Sequence, residues 1–197
     1  MKFTFIIIAI LQLSILGCKY SSPVSKVPPD QISVSTSIAL EPPKATEVGT
    51  VKLNPIEYYT TSQERAILTQ VEKKLNEVKS SKCTHDFLAA RKMIQTQNKT
   101  SLQVANHVAS LSGSVDVVMY YSRFSSAMAY RQPPELKINL NRKYFYATLA
   151  ICEWVSTVLH ESLHALANYE HDYQWNAQRD FSVAYSANAA VEKCCNE

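Results

Sequence analysis

Two histidines four residues apart, His160 and His164, lie in a stretch that runs from residue 144 to 167 without a proline or glycine. That spacing decides what the stretch must become. On an α-helix the two imidazoles share one face, about 6 Å apart along the axis, and can bind one metal ion. Ile151, Val155, Val158, Leu159 and Leu166 supply an apolar side for burial. Glu161 stands about 100° around the helix from His160. It sits beside a metal held by the pair without needing to ligate it. There it can take a proton from metal-bound water and pass it to a leaving amine. A zinc-binding scaffold without chemistry has no need of this carboxylate.

The rest of the 197-residue chain is read around that helix. The formal net charge is +3 with no run of one sign, so a clustered basic face is lacking and nucleic acid is excluded as a partner. Only three glycines occur, Gly17, Gly49 and Gly113. Positions needing positive φ therefore fall to Asn, and Asn168 reads as the left-handed residue that ends the histidine helix.

The first residues form a leader. Met1-Lys2 is a short positive start, and residues 3–16 are apolar but for Thr4, Gln12 and Ser14. This suits a signal-peptide core and is too short to span a bilayer. Ile15-Leu16-Gly17-Cys18 resembles the lipobox of bacterial lipoproteins. The resemblance implies cleavage after residue 17, a lipid on Cys18 and an extracytoplasmic, membrane-anchored protein. Lys19 after the cysteine implies the outer membrane if the cell is Gram-negative. Residues 18–61, with Pro23, Pro28, Pro29, Pro42, Pro43 and Pro55, read as a tether.

Residues 62–197 are expected to be the folded domain. Ser62 opens a helix with Ile67, Leu68, Val71, Leu75 and Val78 at helical spacing. Further helices are expected at 84–95 and at 101–112, the latter stopping at Gly113. Residues 115–121 and 127–131 read as strands, and Gln132-Pro133-Pro134 as a break. Leu136-Lys137-Ile138-Asn139-Leu140 alternates as an edge strand does. The long helix then covers 144–167. The order predicts an α+β fold with N-terminal helices and a small mixed sheet.

Leaving Cys18 aside, Cys83, Cys152, Cys194 and Cys195 remain. In an exported protein these read as disulfides. A Cys194–Cys195 bond is strained by adjacency, so Cys83 and Cys152 each take one tail cysteine. The connectivity stays open. A zinc site of four thiolates is the weaker alternative, because no CxxC spacing occurs.

The strand-then-helix order ending in His160-Glu161-Ser162-Leu163-His164 resembles the zincin metallopeptidases over roughly residues 115–172. The resemblance implies one zinc ion, with His160 and His164 as ligands and Glu161 as general base. It implies peptide-bond hydrolysis by metal-activated water, with an extended substrate added to the edge strand. In the metzincin branch a Gly and a third ligand follow the second His by three and six residues. Here Ala167 and Glu170 stand there, and no Met follows Met128 for a Met-turn. Asn168 does the Gly's work one place later, which points to His171 as third ligand, with Asp172 and Glu170 as alternatives. Tyr185 matches the place where several zincins put an oxyanion-stabilising side chain. His85 and His107 are expected at surface or helix-terminal positions.

A peptidase on peptide or protein substrates, a hydrolase of cell-wall stem peptides, and a non-enzymatic tethered binding lipoprotein are the three readings. A monomer is expected.

Overall fold

A computed structural model describes residues 48–131, 135–147, 150–171 and 178–197. All of these belong to one unit of the chain, Ala39–Glu197. The leader, Cys18, the first part of the tether, the Gln132-Pro133-Pro134 break and Asp172 lie outside the described residues.

The fold is α+β. Strand β1 (Val51–Pro55) is followed by helices α1 (Ser62–Lys79), α2 (Lys82–Ala90) and α3 (Ser101–Ser110). Then come β2 (Gly113–Tyr120), β3 (Ala129–Arg131) and β4 (Lys137–Asn141). Helices α4 (Arg142–Ala147), α5 (Ile151–Ala167) and α6 (Val183–Cys194) complete the order. The sheet order is β1-β2-β4-β3. β1, β2 and β4 run parallel, and β3 is antiparallel to β4.

One face of the sheet carries the core. Val51, Leu53, Val115, Val117, Met119, Ile138 and Leu140 are buried there, and α1 and α5 pack against the sheet. Lys52, Asn54, Ser114 and Asp116 alternate with them and are exposed, the pattern of a sheet covered on one side. α5 is buried almost all round, from Trp154 to Ala165 apart from Thr157. It lies between the sheet and α6.

The two sheet edges differ. Along β1, the Val51 amide donates to Asn76 Oδ1 at 2.9 Å and the Leu53 amide to Glu72 Oε2 at 2.7 Å. Side chains of α1 thus close that edge, as sheets that avoid edge-to-edge pairing do. β3 forms the other edge, with no strand on its outer side among the described residues.

Several expectations are corrected. Residues 51–55 are a strand although they lie in the stretch read as tether. Val51 and Leu53 alternate with Lys52 and Asn54, and the neighbouring prolines mask this short period. Pro55 ends the strand, where a missing donor costs least. The segment 137–141 is an inner strand between β2 and β3, not an edge. Its polar positions Asn139 and Asn141 are buried too. Asn141 is held by the 122–127 loop, accepting from the Ser122 amide at 3.3 Å. The 144–167 helix is two helices, α4 and α5. The strand expected over 115–121 runs over Gly113–Tyr120, and Tyr121, just past its end, is 65% exposed.

Gly49 brings the chain into the sheet at close quarters. A Cβ there would stand 2.2 Å from the Ser110 carbonyl oxygen. The buried Lys79 amine pins this approach, donating to the carbonyls of Gly49 at 2.7 Å and Ala109 at 2.8 Å.

Two disulfides fasten the C-terminus. Cys83 in α2 pairs with Cys194, and Cys152 in α5 pairs with Cys195, each with Cα atoms 5.8 Å apart. The four-thiolate zinc alternative is therefore set aside. Closing loops of 111 and 43 residues stabilises by roughly 2–5 kcal/mol per bond.

Glu64 ties the start of α1 to α4. Its fully buried carboxylate accepts from the Thr61 amide at 2.7 Å, from Arg142 Nε at 2.6 Å and from the Tyr146 hydroxyl at 3.0 Å. Burial alone pushes its pKa up. The bond and charge of Arg142, with the Thr61 and Tyr146 bonds, outweigh that and hold it at about 2. A depressed carboxylate stabilises the fold above its unfolded pKa of 4.5 and loses that contribution as pH falls through about 2. Urea midpoints at about pH 7 and about pH 3 should differ less in Glu64→Gln than in wild type. Equal pH slopes in the two proteins would refute this.

Candidate metal centre

The site is built on the C-terminal half of α5 and the turn that follows. The helix stops where Asn168 enters the left-handed region, at φ 54° and ψ 30°. The sequence assigned this role to Asn168, the residue most tolerant of it after glycine. The amides of Asn168 and Tyr169 both return to the carbonyl of Leu163. Three further carbonyls in this turn are met by side chains. Gln97 Nε2 donates to Ala167 and Asn168, both at 2.9 Å, and the Arg131 guanidinium donates to His164. The orphan carbonyls of a helix end are thereby satisfied, and the turn is held from two sides.

This turn carries His171 back over the helix. The ligating nitrogens of His160, His164 and His171 lie within 4.8 Å of one another. His160 Nε2 and His171 Nε2 are 3.0 Å apart. Ring centroids are separated by 4.8 Å for His160–His164, 5.1 Å for His160–His171 and 4.8 Å for His164–His171. Such a cluster could hold a metal ion.

Protonation favours that use. Burial, and then the charges of His164 and His171, push the His160 pKa well below its ordinary value. Burial, and then the charge of His171, lower His164 to about 4. Both rings are neutral near neutral pH, so each keeps one nitrogen lone pair for a ligand. In His164 that lone pair is assigned by its surroundings. Nδ1 donates to the Tyr169 carbonyl, which leaves Nε2 as the acceptor nitrogen.

Glu161 is one residue along and is 9% exposed. Burial raises its pKa to about 7, opposed by a bond from the Arg131 backbone amide and by the Arg131 charge. A carboxyl tuned towards neutrality is suited to both taking and giving a proton. Tyr185, from the start of α6, brings its ring to 4.8 Å from that of His160 and 4.9 Å from that of His171. The Arg179 guanidinium stacks on the Tyr185 ring at 4.4 Å.

No protein-family model and no curated protein matches the sequence.

The structure thus brings five sequence candidates, His160, Glu161, His164, His171 and Tyr185, into one place. Glu170 is turned away. Its carboxylate reaches Arg131 Nη1 at 3.3 Å and lies 3.8 Å from His164 Nδ1, the nitrogen on the outer side of the ring. His85 is not a surface residue. It is 1% exposed and pairs with Asn106 Oδ1 at 2.9 Å. His107, partly buried, stands 2.8 Å from the Tyr169 hydroxyl and so buttresses the residue whose carbonyl fixes His164.

Arg131 is the functional residue that sequence reasoning passed over. It serves the site three times, through its amide to Glu161, its guanidinium to the His164 carbonyl and its ion pair with Glu170. The available signal was a lone cation ending a short apolar strand. Gln97 carried no signal. It sits in a loop where Gln95, Gln97 and Asn98 all have positive φ, between 54° and 63°. Strain of this kind gathers where a loop must hold something in place.

Proposed function

We propose that this protein is a zinc-dependent peptidase. The observation that carries the reading is the convergence of three histidines, two of them in the buried part of α5, on one point with a buried carboxyl beside them. Three imidazoles are a zinc donor set that leaves the fourth tetrahedral position open, the arrangement of catalytic rather than structural sites. The 3.0 Å between His160 Nε2 and His171 Nε2 is close to the roughly 3.3 Å that two nitrogens sharing one tetrahedral zinc require. His160, His164 and His171 would hold the ion. When bound, zinc polarises a scissile carbonyl and brings the pKa of water down towards 7.

The chain's own groups supply the rest. Glu161 accepts the proton of the attacking water and delivers it to the leaving amine. The Arg131 amide keeps the Glu161 carboxyl aimed. Tyr185 stands beside the cluster as the donor to the developing oxyanion. The open outer side of β3 offers an extended peptide a row of backbone partners, and Arg131 connects that strand to Glu161. The anchoring reading accompanies this one. A lipid on Cys18 would tether the enzyme at a bacterial membrane, with peptides, proteins or cell-wall stem peptides within reach.

The test is direct. Protein purified with both disulfides intact should hold about one zinc per chain and should cut members of a library of unstructured peptides, with isolated stem peptides tried beside them. Chelation should abolish cleavage and zinc should restore it. A protein that takes up no zinc ends the proposal.

A further inference from the structure

His164 has the Tyr169 carbonyl to fix its tautomer. His160, the other ligand of the proposed zinc site, needs an equivalent. Its Nδ1 is sealed from solvent and completes no well-aligned hydrogen bond among the described residues. The acceptors that face it are the Asn188 side chain and the Ala184 carbonyl. Both belong to α6, and residues four apart share one face of a helix. Asn188 Oδ1 is itself buried and likewise completes no well-aligned hydrogen bond among the described residues. A buried donor and a buried acceptor, each lacking a full partner, face each other across the α5–α6 contact.

We infer that Asn188 is a positioning residue for the metal centre, holding His160 as the Nδ1–H tautomer so that Nε2 points at the ion. The inference rests on the zinc reading of the three histidines. It accounts for an amide among the small and apolar side chains of α6, where Val183, Ala184, Ala187, Ala190 and Val191 are buried and Ser186 is the polar residue buried with them. It also accounts for which His160 nitrogen meets His171, since the pair at 3.0 Å is Nε2 to Nε2. The choice of amide over carboxylate has a consequence. Asn accepts the imidazole proton without adding negative charge, so His160 is less basic than a carboxylate partner would make it. Zinc affinity is then set below the maximum that this geometry allows.

Three proteins test this: wild type, Asn188→Leu and Asn188→Asp, each with disulfides intact and stripped of metal. Zinc affinity is measured by competition with a chromophoric chelator, and the His160 tautomer by nitrogen NMR of the metal-free protein. Asn188→Leu keeps the volume and removes the acceptor, and should weaken zinc binding about 10–100-fold. Asn188→Asp should bind at least as tightly as wild type. Wild-type His160 should carry its proton on Nδ1. Packing alone cannot produce rescue by Asp together with that tautomer, because a buried carboxylate is a worse packing element than Leu. Zinc affinity unchanged in Asn188→Leu, or His160 protonated on Nε2 in wild type, overturns the inference and leaves the zinc site standing. If Asn188→Leu does not fold, the wild-type tautomer and the affinity of Asn188→Asp decide. Wild type with no zinc affinity at all overturns the site reading and this inference with it.

Discussion

Glu161→Gln is expected to lower peptide hydrolysis about a hundredfold or more, the usual scale for a lost general base, with zinc content unchanged. The substitution keeps the shape of the side chain and its capacity to accept from the Arg131 amide. It removes only the basic oxygen. The same residue makes a second, opposite contribution. A carboxyl whose pKa is raised from 4.5 to about 7 by burial weakens the fold as pH climbs through that interval, because the unfolded chain ionises more readily. The metal-free Gln variant should therefore be no less stable than wild type at about pH 8, and should lack the wild-type decline between about pH 4.5 and 7. Loss of activity without loss of stability is the mark of a group kept for chemistry. A variant that cuts as fast as wild type would sink the mechanism, whatever metal analysis shows.

His164→Ala is expected to abolish stable zinc binding. Loss of an outer partner costs roughly 10–100-fold in metal affinity, and loss of a ligand removes a bond from the ion itself. Two imidazoles remain, and the open coordination positions increase. His171→Ala should behave alike, though it lies on the turn rather than the helix. The comparison separates fold from site. His164 is buried in α5 and bonded to the Tyr169 carbonyl, so its truncation also loosens the turn and lowers thermal stability. His171 lies past the end of α5, and its variant is expected to lose zinc with the smaller stability change. Metal content after gel filtration and thermal midpoints of the metal-free proteins read both quantities. If His171→Ala keeps its zinc while Asp172→Ala loses it, the third ligand moves one residue along the chain.

Much of this centre was legible in the residues because its geometry is local. His160, Glu161 and His164 are related by helix periodicity alone, and Asn168 announced the turn because so few glycines were available to make it. His171 followed from the turn. What escaped is non-local. Arg131 reaches α5 only because β3 pairs antiparallel with β4 at the sheet edge, and strand order cannot be read from a three-residue strand. Gln97 reaches the helix end across 70 residues of sequence. Its loop owes its shape to what it holds, not to a turn-forming composition. The strand at 51–55 was hidden by surrounding prolines, whose effect on a tether and on the end of a strand is the same in a sequence. The Cys83 and Cys152 pairings with the tail were anticipated, but the choice between the two connectivities needed coordinates.

That choice carries a consequence for how the protein must mature. Cys194 ends α6, and Cys195 continues in helical conformation, at φ −71° and ψ −21°. Neighbouring helical residues point about 100° apart, so one sulfur leaves towards α2 and the other towards α5. Exchanging their partners would close two bonds and leave no thiol free. It would also rotate α6 by about 100° about its axis and carry Tyr185 and Asn188 off the centre. The tail works as a key with one fitting orientation. A crossed isomer would be fully oxidised by any thiol titration and still lack Tyr185 and Asn188 beside the histidines, so the proposed activity would report the pattern of the bonds rather than their number.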